Sequence, residues 1–247
     1  MNREQFLYGV PMSWYKDYKV RRYGAHGTSH KFVSARCAEV MGKNIEDLKI
    51  VTCHLGNGSS ITAVKNGKVI DTTMGLTPLD GLAMGTRCGA IDPSVVLFIM
   101  EKENLSVKEM DTLLNKKSGL LGVSGLSSDD RDLKAAAAEG NEQCLIARNI
   151  LAYQIKKYIG AFSAAMDGID AIVFTGGIGE NADDIRDKVC NELSYLGIEI
   201  NNEIGKTLVK GAEGELSTEN SKVKVYVLPT NEELAIARDT RDIVNAL

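Results

Sequence analysis

The segment that decides the fold is LKIVTCHLGNGSSITAVKNGKVIDTT, residues 48–73. It contains three runs rich in β-forming residues, separated by Gly56-Asn57-Gly58 and by Asn66-Gly67. An Asn-Gly pair between two such runs is a strong signal for a type I′ hairpin turn. The segment therefore predicts a three-stranded antiparallel meander.

The last third of the chain changes from this pattern to an alternation of strands and helices. Residues 170–197 read as strand, glycine turn and helix, and residues 222–247 repeat that order. Strands that alternate with helices are typical of a buried, mostly parallel sheet. The sequence thus predicts an α/β fold in which an antiparallel β-meander leads into a mixed sheet with helices on both faces.

Capping signals predict the helices between these two regions. The first should begin with Thr28 or Ser29 as its N-cap and end at Gly42. The others are predicted at Ser94–Lys102 behind Asp92 and Pro93, from the Ser106–Glu109 capping box to Lys117, at Asp129–Glu139, and at Asn141–Asp167.

Composition excludes several classes of protein. The chain has 247 residues with 29 Lys and Arg against 33 Asp and Glu, hence a net charge of −4, and 44% of its residues are hydrophobic. This is ordinary globular composition without the basic surface of a nucleic-acid binder. No apolar run is long enough for a signal peptide or a membrane span. The five cysteines are scattered without CxxC spacing, which favours a reducing compartment, so we expect a cytoplasmic protein that binds neither nucleic acid nor membranes.

The first candidate site is the turn in His54-Leu-Gly-Asn-Gly-Ser-Ser60. Its glycines allow close approach of a ligand to the backbone, and successive N–H groups in such a turn bind anions. The alternative is a plain hairpin turn, which an isolated Gly-Asn-Gly often is.

The second candidate is Thr175-Gly-Gly-Ile-Gly-Glu-Asn181, between an apolar strand and an amphipathic helix. A glycine turn at the carboxyl end of a strand suits a nucleotide. The segment matches neither the GxGxxG nor the GxxxxGK[ST] pattern, so a purely structural turn stays open.

The third candidate is Arg87, which lies between Gly85 and Gly89. Its planar guanidinium suits a phosphoryl or carboxylate group. The alternative is a solvated surface charge.

The fourth candidate is His26 in His26-Gly-Thr-Ser-His30, at a predicted helix start where it can donate to an anion. A zinc site that adds His30 and either His54 or Cys53 is a competing hypothesis. A structural cap is a simpler interpretation and ranks above zinc.

The fifth candidate is Glu232 in Pro229-Thr-Asn-Glu-Glu-Leu234. Thr230 and Glu233 have the spacing of a capping box, which leaves Glu232 available for Mg²⁺. A favourable charge at the helix dipole is the alternative.

Together these segments resemble the acetate kinases. The matching segments, in family order, are RRYGAHGTSH (21–30), HLGNGSS (54–60), TPLDGLAMGTRCGAIDP (77–93), GVSGLSSDDRDL (122–133), FTGGIGEN (174–181) and PTNEELAIARDT (229–240). The resemblance implies an actin-like ATPase (ribonuclease H-like) fold. It also implies reversible transfer of the γ-phosphoryl group of ATP to acetate with Mg²⁺, giving acetyl phosphate and ADP.

The resemblance also assigns the site residues. The implied catalytic residues are His26 and Arg87, as stabilisers of the phosphoryl group in the transition state. The implied nucleotide-binding residues are His54, Leu55, Gly56, Asn57, Gly58, Asp129, Asp130, Arg131, Gly177, Ile178, Gly179, Glu180 and Asn181. Glu232 would bind Mg²⁺, and Ala25 and Pro78 would line the acyl pocket, with Ala25 standing where the family usually has Phe.

Family members are longer than this chain. The resemblance therefore implies that residues 1–20 are a connector from an N-terminal domain, which would carry the family's catalytic Asp, and that residues 21–247 are the C-terminal nucleotide-binding kinase domain. A homodimer is the implied assembly, and a separately encoded N-terminal half is a further possible partner. A non-catalytic nucleotide-binding or dimerisation fragment and a propionate kinase are the alternative functions.

Overall fold

The computed structural model describes residues 1–246, and its centre is a six-stranded sheet in the order β3-β2-β1-β4-β6-β5. The strands are β1 (Lys49–Leu55), β2 (Ser59–Lys65), β3 (Lys68–Thr72), β4 (Ala171–Thr175), β5 (Gly214–Glu215) and β6 (Lys224–Val227). The helices are α1 (Arg3–Phe6), α2 (Met12–Tyr18), α3 (Gly27–Met41), α4 (Pro93–Glu103), α5 (Val107–Lys116), α6 (Gly119–Ser124), α7 (Asp130–Ala138), α8 (Glu142–Met166), α9 (Gly176–Asn181), α10 (Asp183–Asn191), α11 (Asn202–Thr207) and α12 (Glu232–Asn245). Two short 3₁₀ helices cover Ile45–Asp47 and Ser194–Leu196.

The predicted meander is confirmed. Strands β1, β2 and β3 are antiparallel neighbours, with Thr52 opposite Thr62 in the first pair. Asn66 and Gly67 have φ values of +54° and +72°, as a type I′ turn between β2 and β3 requires. Strand β4 then pairs in parallel with β1, and β6 in parallel with β4, so the sheet is mixed as predicted.

The two faces of the sheet pack against different helices, which confirms the prediction of helices on both faces. Alternate residues such as Val51 and Phe174 face the larger core under α8, while Ile50 and Val173 face the smaller core under α3. Because strand side chains alternate between faces, near-continuous apolar runs are the sequence pattern of a sheet covered on both sides.

Two predicted helix starts are wrong. Helix α3 begins at Gly27 with His26 as its N-cap, not with Thr28 or Ser29. Helix α12 begins at Glu232, where the side chain of Asn231 accepts from the Leu234 N–H, so the capping box predicted from Thr230 does not form. At α12 both Thr230 and Asn231 are residue types that can cap a helix. At α3 the helix begins before Thr28 and Ser29, with His26 in a left-handed conformation and no side-chain cap hydrogen bond.

The other predicted helices are confirmed to within a residue or two. Asp92 caps α4 with Pro93 at its first position, and Ser106 and Glu109 form the capping box of α5. Helices α6 and α11 and the edge strand β5 lack a clear sequence pattern, and we did not expect them.

Residues 1–20 form α1 and α2, and the peptide around them packs beside the meander. Phe6 is buried, and its carbonyl accepts from the Arg22 N–H. The Tyr8 hydroxyl accepts from the Leu76 N–H. Within residues 1–246 no helix combines the length and hydropathy needed to cross a bilayer.

One guanidinium joins three helices on the larger-core side of the sheet. Arg148 of α8 is buried and donates from Nε to Asp130 of α7 at 2.8 Å, and from Nη1 to Asp184 of α10 at 2.6 Å. Lys134 adds contacts to Asp183 and Asp184 at the exposed edge of this network. The network fixes the N-terminal ends of α7 and α10 side by side.

Replacing Arg148 by Met should lower the free energy of unfolding by about 3–5 kcal/mol, because it leaves the buried Asp130 carboxylate without its partner. The matched control is Lys134→Met, which removes a more exposed ion pair and should cost about 0–1 kcal/mol. Urea denaturation of the three proteins measures both values. Equal losses in the two variants would contradict the assignment.

The same network predicts an acid-sensitive step in stability. Burial alone would raise the pKa of Asp184, but the Arg148 and Lys134 side chains outweigh burial and lower it to about 2. Because the folded-state pKa lies below the unfolded value, this contribution is present above about pH 4 and is lost as the pH falls toward 2.

Thermal melts between pH 5 and pH 2 should therefore show a steeper loss of Tm in the wild type than in Asp184→Asn. Asp242→Asn, which changes an exposed pair with Arg241, is the control and should follow the wild-type slope. Parallel slopes for all three proteins would show that Asp184 does not couple protonation to folding.

Candidate active site

The backbone holds His26 in an unusual conformation at the start of α3. Its φ of +60° lies in the left-handed region, which non-glycine residues seldom adopt. The ring is fixed by Ser60, whose Oγ lies 2.9 Å from Nδ1, and by stacking on His54 with the ring centroids 4.2 Å apart. Strained backbone conformations persist only where the surrounding structure holds them in place, and they cluster at functional sites.

Arg87 lies in a tight turn that is hydrogen-bonded to the start of α6. The Met84 N–H donates to the Arg87 carbonyl at 3.0 Å, and the first N–H groups of α6, from Leu120 and Leu121, donate to Met84 and Gly85. The Arg87 guanidinium donates from Nη1 to the Pro78 carbonyl at 3.4 Å. The unexpected helix α6 is therefore what holds the catalytic candidate in place.

Gly58 brings the two catalytic candidates together. A Cβ at this position would lie 3.2 Å from Nη1 of Arg87 and 3.4 Å from Nε2 of His26. Both nitrogens therefore flank the turn between β1 and β2. The structure places two donors beside a backbone with no side chain between them, an arrangement suited to a ligand with several acceptor oxygens.

Burial is the main influence on the charge of the two histidines in this cluster. Burial lowers the pKa of His26, which Arg87 lowers further and Glu232 raises. Burial and the neighbouring His26 lower the pKa of His54 to about 4. Both imidazoles are thus favoured in the neutral form at neutral pH, and the guanidinium supplies the positive charge.

A cleft of about 740 Å³ opens beside the same turn. Its walls include eight of the predicted nucleotide-binding residues, namely Gly56, Asn57, Asp129, Asp130, Arg131, Gly177, Ile178 and Asn181. The turn at residues 56–58 therefore borders the cleft through Gly56 and Asn57 and the His26–Arg87 pair through Gly58.

Close packing holds this turn against the Arg87 loop. The Gly85 N–H donates to the Asn57 carbonyl at 3.1 Å, and a Cβ on Gly85 would lie 1.9 Å from Asn57 Oδ1. A side chain at position 85 would force the Asn57 amide to move. The turn and the Arg87 loop are therefore in direct contact through Asn57 and Gly85.

The predicted Asp129, Asp130 and Arg131 have different roles in the structure. Asp129 caps α7 and pairs with the Arg131 guanidinium, whose hydrogen bonds lower the pKa of Asp129 to about 2. Arg131 is largely exposed at the mouth of the cleft. Asp130 lines the cleft, but its carboxylate is already bonded to Arg148, so it supports the wall from behind.

The second glycine segment is a short helix, not the turn that the sequence suggested. Helix α9 starts directly after β4, and Gly176 at its start has a φ of +79° with the Leu55 carbonyl 2.8 Å from where a Cβ would be. The Glu180 carboxylate accepts from the Gly176 N–H at 2.9 Å, so it closes the helix start and is not directed at the cleft.

Other contacts brace α9 from below. The fully buried Arg186 donates to the Gly179 carbonyl at 2.9 Å and to the carbonyls of Gly205 and Leu208. Asn181 accepts from the Lys210 N–H, which fixes the far rim of the cleft. Gly179 is buried and the Leu55 side chain is fully buried, so both support the cleft without lining it.

The two predicted pocket residues lie apart. Pro78 is exposed and contacts Arg87 through its carbonyl. Ala25 precedes His26 but lines a separate, mainly apolar cavity of about 600 Å³ between α3 and the β2–β3 hairpin. The acyl-pocket role of both residues stays a prediction.

Glu232 is the first residue of α12 and is exposed, close enough to His26 to influence its charge. A carboxylate in this position fits Mg²⁺, which commonly takes one or two protein carboxylates together with phosphate oxygens and water. Across residues 1–246 no group of three or more His, Cys, Asp or Glu side chains has a metal-binding arrangement. The zinc hypothesis for the three histidines therefore gains no support.

Five residues that line the cleft were not predicted, and three of them carry polar or charged side chains. Ser128, Lys134 and Lys210 line it alongside the expected residues. Lys134 lies one helical turn after Asp130 on the same helix face, a spacing that could have revealed it. Lys210 arrives from a loop with a φ of +56°, and nothing in the local sequence places it there.

Comparison with known proteins agrees with this geometry. The model of the acetokinase family matches residues 1–238. An acetate kinase from Halothermothrix orenii is 54% identical over 246 residues, which is 100% of this chain and 61% of that protein. The chain therefore spans about three fifths of the length of this curated relative.

Solved structures give the same result. The acetate kinase of Porphyromonas gingivalis superposes with a TM-score of 0.97 at 47% identity, covering 99% of this chain and 61% of that one. A propionate kinase from Francisella tularensis superposes with a TM-score of 0.89 at 42% identity, covering 96% and 60%. The fold is the actin-like fold of these kinases. On the match to its family model and on these relatives, the chain belongs to the acetokinase family.

Proposed function

We propose that this chain forms the nucleotide-binding and phosphoryl-stabilising part of an acetate kinase. It would transfer the γ-phosphoryl group of ATP to acetate, giving acetyl phosphate and ADP, reversibly. The observation that carries the proposal is the turn at residues 56–58, which lines the cleft through Gly56 and Asn57 and lies beside the His26–Arg87 pair at Gly58. Membership of the acetokinase family supports the choice of substrates.

The two donors suit the charge that develops during the reaction. In phosphoryl transfer, negative charge spreads over the three equatorial oxygens of the group in flight. Nη1 of Arg87 and Nε2 of His26 point into the same space beside Gly58, so they can donate to different oxygens of one phosphoryl group. Preorganised donors of this kind lower the barrier because they need no reorientation when the charge appears.

The cleft residues bind the rest of the nucleotide in this proposal. Lys134 and Lys210 bring positive charge to its walls, and Gly177 and Ile178 offer a flat surface for the base. Glu232 would hold Mg²⁺, which neutralises charge on the phosphate oxygens when bound. In this proposal His54 and Gly58 keep their predicted nucleotide-binding roles because they lie at or beside the turn. Leu55, Gly179 and Glu180 would support the turn and the cleft from behind.

Trapping of acyl phosphate with hydroxylamine tests the proposal. The protein is incubated with ATP, Mg²⁺ and acetate, and acetohydroxamate is measured. Arg87→Ala and His26→Ala should each reduce the rate by about 10²–10³, because each removes one donor to the transition state. Arg36→Ala is the matched control, since this Arg lies on the outer face of α3 and pairs with Glu39 and Glu213.

Calorimetry with ADP separates the alternatives. Binding of ADP without hydroxamate would favour the non-catalytic nucleotide-binding or dimerisation fragment, or a chain that needs a separately encoded N-terminal half for turnover. Absence of both binding and hydroxamate would contradict the proposal. Addition of the N-terminal part of a relative then tests whether a second segment restores turnover.

Propionate kinase is the second candidate, and Ala25 favours it. Ala25 lines an open apolar cavity. The family resemblance implies that a Phe usually stands at this position and forms part of the acyl pocket. A smaller side chain there leaves room for one more methylene. The likeness to the Francisella propionate kinase is compatible with either substrate.

Replacing Ala25 by Phe should raise the preference for acetate over propionate, because the ring refills the pocket. A methylene in an apolar pocket is worth about 1–3 kcal/mol, so the ratio of the two kcat/KM values should rise by about tenfold and at most about 200-fold. Parallel assays with the two acids measure this ratio. Ala35→Leu, on the opposite wall of the same cavity, is the control for filling space away from His26. An unchanged ratio in Ala25→Phe would remove residue 25 from the acyl pocket.

A homodimer is the assembly that we propose. Helix α4 buries none of its side chains within residues 1–246, although it carries Val95, Leu97 and Phe98, all exposed. Exposed apolar residues on one helix are typical of an interaction surface. A cytoplasmic location remains a prediction from composition.

A further inference from the structure

Three buried side chains form a continuous hydrogen-bonded chain that leads to the half-buried His26. Oγ1 of Thr52 lies 2.7 Å from Nδ1 of His30, and Nε2 of His30 lies 2.7 Å from Oγ of Ser60. Oγ of Ser60 lies 2.9 Å from Nδ1 of His26. Thr52 and Ser60 are fully buried and His30 is 2% exposed, so water cannot replace any of these contacts.

His30 makes this chain directional. Burial, with His54 and His26 nearby, lowers the pKa of His30 to about 3, so its ring is neutral at physiological pH. A neutral imidazole donates from one nitrogen and accepts at the other. All protons of the chain must therefore point the same way, either from Thr52 toward His26 or from His26 toward Thr52.

Distances favour the direction that runs toward His26. In that direction Thr52 donates to His30, His30 donates to Ser60 and Ser60 donates to His26, and each proton lies in a contact of 2.9 Å or less. In the opposite direction the Thr52 hydroxyl must turn to the Thr62 carbonyl, which is 3.4 Å away. That distance is long for an O–H···O hydrogen bond.

We propose that Thr52, His30 and Ser60 are positioning residues, which donate in sequence and keep the proton of neutral His26 on Nε2. Ser60 occupies Nδ1 as a donor, so the remaining proton sits on the nitrogen that faces Gly58 and Arg87. His26 then donates to the phosphoryl group as a neutral ring. This catalytic meaning rests on the proposed function, whereas the direction of the chain does not.

The surroundings of His26 are compatible with a neutral donor. His54 stacks on the ring from β1, the Arg87 guanidinium faces Nε2, and Glu232 approaches from α12. With Arg87 already charged beside the same space, a second positive charge on His26 would be opposed by repulsion. A neutral imidazole N–H next to the guanidinium adds a second hydrogen-bonding group without adding a second positive charge.

The tautomers of the histidines test the proposal directly. In the ¹⁵N-labelled chain, two-bond ¹H–¹⁵N spectra show which ring nitrogen of each neutral histidine carries the proton. We expect both His30 and His26 to carry it on Nε2. A proton on Nδ1 of either ring in the wild type would overturn the proposal.

Two variants give reciprocal outcomes. In Ser60→Ala, Nε2 of His30 loses its acceptor, so the proton should move to Nδ1 and bind Thr52, because a buried donor without an acceptor is costly. In Thr52→Val, the new side chain cannot accept from Nδ1, so the proton should stay on Nε2. If the chain runs the other way, Thr52→Val shifts the tautomer and Ser60→Ala does not. Ser29→Ala, which removes the hydroxyl bonded to His54, is the control and should leave His30 unchanged.

Kinetics separate this proposal from the proposed function. Ser60→Ala should lower kcat for acyl phosphate formation by about tenfold, the equivalent of one hydrogen bond, with the KM for ATP unchanged. A purely structural role of Ser60 would lower activity without altering the His30 tautomer. The expected tautomers in a protein that neither binds ADP nor forms acyl phosphate would contradict the proposed function and leave the hydrogen-bond direction standing.

Discussion

The contact between Asn57 and Gly85 is the constraint on which the rest of the site depends. It holds the turn between β1 and β2 against the loop that carries Arg87, through a backbone hydrogen bond of 3.1 Å from the Gly85 N–H to the Asn57 carbonyl. The turn is one wall of the cleft and also the surface on which the guanidinium and His26 converge. The residues that line the cleft and the two candidate donors are thereby held next to one another by one short segment of backbone.

Support for that contact comes from the sheet and from buried charge. The meander sets the turn at the carboxyl end of β1, where β4 also ends, so both glycine segments reach the same edge of the sheet. Behind them, Arg148 fixes α7 and α10 and Arg186 holds the carbonyls of α9 and α11. Each buried guanidinium stabilises helices that lie next to the cleft. The same side chains therefore maintain both the stability of the fold and the geometry of the cleft.

Much of this architecture was predictable because its signals are local. The Asn66-Gly67 turn and the Ser106–Glu109 capping box each specify one geometry from a few adjacent residues, and the structure confirms both. The start of α12 was misplaced because two adjacent residues can each cap it, and the start of α3 because that helix begins without a side-chain cap. Lys210 and the link from Thr52 through His30 and Ser60 escaped prediction because they depend on which strands and loops meet in space. Sequence motifs named eight of the residues that line the cleft, whereas the buried links behind them depend on tertiary contacts.

The left-handed backbone of His26 has an evolutionary consequence. An L-residue in this conformation costs roughly 1–2 kcal/mol relative to glycine, which adopts it freely. Glycine at position 26 would relieve that cost and remove the imidazole. Selection or design for thermal stability alone would therefore favour replacing this histidine. Variants of this chain that are stabilised in this way should lose function through substitution of His26 before other residues. Where the histidine persists through such a screen, some demand other than folding has kept it.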